Sequence, residues 1–262
     1  MHLQRISISI QCSRIIKGIG FTDLKCYLCS SHRQCDLVWK LGEEEDIMGA
    51  IKVIGIPMST CTQRVLVVLI EKGAEYVVEP LDMMKGAHKQ PEHLAIQPFG
   101  QIPVIEDGKF KLFESRAIVR YVAEKYEGQG PSLYGKTLHE KALVEQWLAV
   151  EIEEFNAPIT AAVVQLVLGP KFKGIPADEA IVSASLEKLE KVLDVYEAQL
   201  AKNKFLAGNF LSIADLVHLP FLFLLVGVAK RGEVVTSRKH VHEWYETLSS
   251  LPSWKKVLAL AA

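Results

Sequence analysis

The stretch Gln97-Pro98-Phe99-Gly100-Gln101-Ile102-Pro103-Val104-Ile105-Glu106-Asp107-Gly108-Lys109-Phe110-Lys111-Leu112-Phe113-Glu114-Ser115-Arg116 decides the fold. Asp107-Gly108 is a strong hairpin signal, because a tight two-residue turn needs backbone conformations that glycine adopts at little cost. The flanking runs 104–106 and 110–112 therefore read as antiparallel strands. Glu114 and Ser115 then open a helix running through Ile118, Tyr121 and Val122 toward Tyr126. Ile102-Pro103 stands just ahead of the first strand, where a cis bond would turn the backbone of Ile102 outward.

Upstream, Ile51, Val53 and Ile54 form a short strand that enters the loop Gly55-Ile56-Pro57-Met58. A helix with the face Val65, Leu66, Val68 and Leu69 follows, and Gly73 is placed to end it in the left-handed conformation. Residues 76–81 read as a second strand and 82–90 as a polar segment. Strand, helix, strand, hairpin and helix in this order predict a thioredoxin-like mixed sheet over 48–126.

The breakers Glu127-Gly128-Gln129-Gly130-Pro131-Ser132 place a linker at 127–135. Beyond it, over 136–262, only helices are expected. Leu186, Leu189, Leu193, Tyr196 and Leu200 recur at helical spacing, with Glu187, Lys188, Glu190 and Lys191 on the other side. Ser212 and Asp215 resemble a capping box. The fold class is thus α+β, a thioredoxin-like N-terminal domain followed by an all-α C-terminal domain.

Composition narrows the function. With 30 Lys plus Arg against 31 Asp plus Glu, net charge favours neither nucleic acid nor an anionic membrane surface. The apolar run 216–229 is broken by His218, Pro220 and Gly227, is too short to span a bilayer, and reads as a buried helix. Four of the five cysteines lie in the first 35 residues, which is no disulfide framework for the main body and points to a reducing compartment.

Residues 1–47 stand apart. They are basic and acid-poor up to Cys35 and then carry the acidic run Glu43 to Asp46. Two readings fit: a transit peptide, or, preferred here, an upstream extension with Met48 as the usual start. Cys26, Cys29, His32 and Cys35 have metal-type spacing but are too compact for a standard finger, so no metal site is expected.

Ser59 falls at the strand-to-helix junction, where unpaired N–H groups and the helix dipole favour a negative charge such as a thiolate. Serine is also a common helix cap, so its position alone leaves both roles open. The backbone of Ile102, set by Gln101 and Pro103, can pair with an extended peptide by strand addition. Ser115 and its N–H groups suit a carboxylate, Glu114 an amine, and His88 and Lys89 a further carboxylate. Together these residues describe a site for a short zwitterionic thiol peptide.

The segments 97–103 and Phe113-Glu114-Ser115-Arg116-Ala117-Ile118, with Lys204-Phe205-Leu206-Ala207-Gly208-Asn209-Phe210, resemble the phi class of plant glutathione transferases, with Gln97 replacing an asparagine. The resemblance runs from about Ile51 onward. It implies that Ser59 activates the thiol, that His88 and Lys89 meet the glycyl carboxylate, that Gln101, Ile102 and Pro103 border the cysteinyl part, and that Glu114 and Ser115 hold the γ-glutamyl end.

It further implies conjugation of glutathione to small hydrophobic electrophiles in detoxification, with glutathione-dependent peroxidase activity as a second capability. Glutathione is then a co-substrate, and no cofactor is expected. The chain should be a cytoplasmic homodimer, or plastidial if 1–47 is a transit peptide. A non-catalytic ligand carrier on the same fold is the alternative.

Cys61 lies two residues past Ser59, out of register with the cysteine used by the dehydroascorbate reductase and lambda types. The electrophile pocket is expected between the domains. Ile56, Met58, Phe155 and Ile159 are its candidates, although the spacing of the last two is more typical of core.

Overall fold

The computed structural model describes residues 49–261; the Cys26, Cys29, His32 and Cys35 reading lies outside them. β1 (Ile51–Ile54), β2 (Tyr76–Glu79), β3 (Val104–Asp107) and β4 (Phe110–Phe113) form one sheet in the order β2-β1-β3-β4. β1 and β2 run parallel, whereas β1–β3 and β3–β4 are antiparallel.

Alternation sets the two faces. Ile51, Val53 and Ile105 are fully buried, while Lys52 on the other face bridges Glu79 and its register partner Glu106. The buried face packs on α1 (Thr60–Glu71) and α3 (Ser115–Lys125), which carry Val65 to Leu69 and Ile118, Val119 and Val122. Gly73 closes α1 at φ 61°, as its place in the sequence requires. Between β2 and β3, a short 3₁₀ turn, Ala87–Lys89, leads into α2 (Pro91–Leu94).

From residue 138 onward every element is helical: α4 (Leu138–Val150), α5 (Asn156–Val163), α6 (Gly169–Lys173), α7 (Glu179–Leu200), α8 (Ile213–Leu216), α9 (Leu219–Phe223), α10 (Glu233–Thr236), α11 (Lys239–Ser249) and α12 (Pro252–Ala261). α4 starts from a capping box of Thr137 and Glu140. α7 buries Leu189, Leu193, Tyr196 and Leu200, with Leu186 at the margin. π-helical turns follow α4, α5 and α9.

The apolar run 216–229 is not one helix. It divides into the end of α8, then α9 with Pro220 in its first turn, then the π turn Leu224–Val228. Proline lacks the N–H that a continuous helix would use, but is tolerated at a helix start. Among the described residues no helix is long and apolar enough to cross a membrane.

Candidate active site

Strand register determines which loops meet. Ile54 pairs with both Glu79 and Val104, and Val104 pairs with Phe113. The segments after β1, after β2, before β3 and after β4 therefore leave the sheet at the same end. These segments carry Ser59, His88 with Lys89, Gln101 to Pro103, and Glu114 with Ser115.

Ser59 is the N-cap of α1. Its Oγ accepts from the N–H of Thr62 at 3.4 Å, and its own N–H donates to the Ile56 carbonyl at 3.0 Å. A hydroxyl has two lone pairs and one proton, so this cap leaves the proton available to a ligand. No acidic side chain occupies the first turn of α1, so nothing there offsets the positive helix end.

Gly55 brings the next segment against that turn. A Cβ at Gly55 would lie 2.8 Å from Thr62 Oγ1 and 3.4 Å from Pro103 Cβ. The Ile102–Pro103 bond is cis, in agreement with the sequence reading. Gln97, 1% exposed, organises the approach: its Oε1 accepts from the N–H groups of Phe99 (2.8 Å) and Gln101 (3.2 Å). His93 Nε2 meets the Gln101 carbonyl at 2.8 Å. The glutamine thus works as a local cap within the turn.

His88 and Lys89 lie on the same segment. Gly100, at φ 61°, has room for no side chain, because a Cβ would sit 2.7 Å from both the His88 carbonyl and Lys89 Nζ. Lys89 Nζ donates to the Phe99 carbonyl at 3.0 Å, and His88 Nδ1 is buried without a hydrogen-bond partner. An orphaned polar atom of this kind is costly unless a ligand or water completes it.

Glu114 is not itself helical. It caps α3 at φ 69° and ψ 107°, with no hydrogen bond from its side chain to the helix, and Ser115 is the first helical residue, 5% exposed. For a residue with a Cβ this backbone costs on the order of 1–3 kcal/mol, and such outliers concentrate at ligand sites.

A buried charge cluster lies behind these loops. Arg116 grips Glu151 through Nε (2.5 Å) and Nη2 (2.8 Å) and also reaches Asn156 Oδ1. Arg64, 1% exposed, donates to the Val217 carbonyl (3.0 Å) and to Cys61 Sγ (3.3 Å), with Nη2 3.7 Å from Glu151. Burial pushes the Glu151 carboxyl up, but its bonds to Arg116 and the surrounding positive charge outweigh this and leave it below the usual range. Burial also lowers the Arg64 guanidinium. This cluster went unread in the sequence, where its signal was charged residues set against apolar ones: Arg64 beside Val65, and Glu151 between Val150 and Ile152.

Of the four apolar candidates, Phe155 and Ile159 are fully buried in the core, Ile56 is half-buried and Met58 is 47% exposed. A separate open cavity of about 400 Å³ lies in the helical region, lined by Val164, Leu168, Phe172 and Ile175 among others.

The chain matches the family model for the glutathione S-transferase N-terminal domain over residues 49–124 and that for the C-terminal domain over 158–252. It is 50% identical over 209 residues to glutathione S-transferase F10 of Arabidopsis thaliana, covering 80% of this chain and 97% of that protein. Glutathione transferase F2 from Populus trichocarpa superposes with a TM-score of 0.78 at 44% identity, over 80% of this chain and 98% of the other. Glutathione S-transferase I from maize, solved in complex with an atrazine glutathione conjugate, gives 0.74 at 40% identity over 81% and 98%.

Proposed function

The chain belongs to the glutathione S-transferase family, in its phi class, and from that premise we propose that Ser59 holds glutathione as its thiolate for attack on hydrophobic electrophiles. The observation that carries this reading is the Ser59 hydroxyl at the uncompensated start of α1, capped on its acceptor side with its proton free. The thiol of glutathione resembles a free cysteine, pKa ~8.5, and lowering it by two units requires about 2.7 kcal/mol of differential stabilisation. One hydrogen bond to a charged sulfur together with the helix end is enough for that.

Around the sulfur, we assign the backbone of Ile102, set by Gln101 and Pro103, to the cysteinyl part. His88 and Lys89 take the glycyl carboxylate, supported by the unpartnered Nδ1 of His88. Glu114 and Ser115 take the γ-glutamyl end, supported by the strained backbone at Glu114. The electrophile is assigned to apolar surface on the loop before Ser59, with Ile56 and Met58 as its candidates. Peroxide reduction would use the same thiolate.

Ser59→Ala is expected to lower kcat by roughly ten- to a thousandfold while glutathione still binds, since the hydroxyl favours thiolate over thiol. The ultraviolet absorbance of bound thiolate is the direct measurement. An unchanged thiolate fraction would leave Ser59 as a cap only and favour the carrier reading.

We also propose a homodimer in a reducing compartment, the cytoplasm, or the plastid if residues 1–47 direct it there. Phe99 at 65% exposure and Leu138 at 82% are large apolar side chains suited to a subunit contact. Sedimentation at micromolar concentration should give twice the chain mass, and the mass of one chain would remove the claim. A fluorescent fusion carrying residues 1–47 reports the compartment.

A further inference from the structure

The open cavity of about 400 Å³ lined by Val164, Leu168, Gly169, Phe172 and Ile175 has no part in the reaction described above. It forms where the π-helical turn Val164–Leu168 runs straight into α6. Gly169 stands so close to that turn that a Cβ would lie 3.0 Å from the Val164 carbonyl. α6 then ends at Gly174, at φ 63°: the Gly174 N–H donates to the Pro170 carbonyl (3.2 Å) and the Ile175 N–H to the Gly169 carbonyl (3.4 Å). These two bonds close the helix end and return Ile175 to the side of Gly169. Phe172 and Ile175 are each 55% exposed and Val164 40%, which leaves a contiguous apolar surface in contact with water.

The polar groups left unused at this cavity are donors. Lys173 lines it, and among the described residues its ammonium has no ion pair or hydrogen bond. Gln165 also lines it; its Oε1 accepts from the Asp178 N–H at 3.0 Å, which leaves its Nε2 without a protein partner. No acidic residue occurs from 155 to 177, and the Asp178 carboxylate is engaged by the N–H groups of Ala180 and Ile181 at the start of α7. Lys171, on the same helix as Lys173, adds positive charge, with its ammonium over the Phe172 ring. We propose that this cavity is a second binding site, for a free small-molecule carboxylate with an apolar body. The body rests against Leu168, Phe172 and Ile175, and the carboxylate meets Lys173 and the Gln165 amide.

Size and charge select this occupant. The volume lies within the range of about 300–1,000 Å³ typical of small-molecule sites, which are mostly apolar with a few placed polar groups. Seven residues line the cavity, against roughly 20–30 a side in a stable protein interface, which favours a small molecule over a second copy of the chain. An uncharged ligand would leave the Lys173 ammonium unpaired, whereas a carboxylate pairs it at the open mouth. The attraction is that of an exposed ion pair, so it discriminates between ligands modestly and is screened by salt.

The test uses the full chain and a matched pair of probes, 6-phenylhexanoate and the uncharged 6-phenylhexanol. Each is titrated by calorimetry with saturating S-hexylglutathione present to fill the proposed Ser59 site. The expected result is one bound carboxylate per chain, held about three- to fivefold more tightly than the alcohol, with the difference shrinking at high salt. Lys173→Met should remove that difference and leave the alcohol unaffected, and Phe172→Ala should weaken both probes roughly tenfold. Both side chains are exposed, so the variants should keep the melting temperature of the parent. Absence of binding at millimolar probe, affinities unchanged in both variants, or displacement of the probe by S-hexylglutathione would overturn the proposal. Failure of the Ser59 reading registers separately, as absent binding of S-hexylglutathione itself, and the two variants then still decide the cavity.

Discussion

On the proposed assignment Glu114 and Ser115 share one task, and they are separable by experiment. Glu114 holds a left-handed backbone that glycine would adopt without strain. Glu114→Gly should therefore raise stability by about 1 kcal/mol, the relief of strain being partly offset by a more flexible unfolded chain. It should also raise the KM for glutathione. If Ser115 holds the γ-glutamyl end as proposed, Ser115→Ala removes a contact remote from the sulfur, so KM should rise about ten- to a hundredfold with little change in kcat, the loss expected for one charge-assisted hydrogen bond. Steady-state kinetics and melting temperature on both variants check this, and an unchanged KM in both would place the γ-glutamyl end elsewhere. The positions of Ser59, Ile102 and Ser115 were legible because each follows a local signal: a strand-to-helix junction, an Ile-Pro step, a helix start. The strain at Glu114 was not, since nothing in a glutamate advertises a positive φ.

Asp215 is the hub of the short helix α8. One carboxylate oxygen accepts from the N–H of Leu206 (2.9 Å) and from Trp244 Nε1 (3.0 Å), the other from Ser212 N–H (3.0 Å) and Oγ (2.7 Å), all of them buried. Asp215→Ala would strand four donors at once. A loss of roughly 2–4 kcal/mol follows, above the range for a simple cap, to be read from denaturant midpoints; a loss under about 1 kcal/mol would mean that water replaces the carboxylate. Ser212 and Asp215 were recognisable as a cap because the motif is local. Trp244 as a partner was not, because it arrives from α11 on a distant part of the chain. The same distinction explains the run 216–229, where apolar residues on every side left no period to mark the breaks. It also explains the Arg64–Glu151–Arg116 cluster, whose members only the folded chain brings together.

His218 joins the helical half into one core, packed edge-on against Phe155, Tyr196 and Trp244. Its Nδ1 faces the Ala214 carbonyl at 2.7 Å and its Nε2 the Tyr196 hydroxyl at 3.0 Å, a pairing that suits the neutral ring with its proton on Nδ1. Burial pushes its pKa down from 6.5 to about 4. Between those values the unfolded chain binds a proton that the native state refuses, so stability falls as pH drops from 6.5 toward 4, by on the order of 3 kcal/mol. Glu151, held below the usual carboxylate range, loses its contribution only below about 4.5. Asp215, whose carboxyl burial pushes up, acts in the opposite sense as pH falls, so the histidine's share is read by difference from a variant. Denaturant unfolding at pH 7 and pH 4.8 should show the fall, and His218→Gln, though less stable throughout, should show a flatter profile; parallel profiles would assign the effect to other groups. The breaker-rich segment after α3 has a different bearing on the whole chain. Gln129 Nε2 donates to the Gly73 carbonyl (2.6 Å), the buried Lys72 Nζ to the Pro131 carbonyl (2.8 Å), and Ile213 N–H to the carbonyl of the fully buried Leu133 (2.8 Å). Gly130 lies so close to the Glu71 carbonyl that no side chain fits. Recombination between relatives at this segment is therefore constrained on both sides of the crossover. An incoming helical half must offer a backbone N–H, and so any residue but proline, to the Leu133 carbonyl, and an incoming sheet half must keep Lys72 and Gly73, or the chimera inherits two intact halves and an open seam.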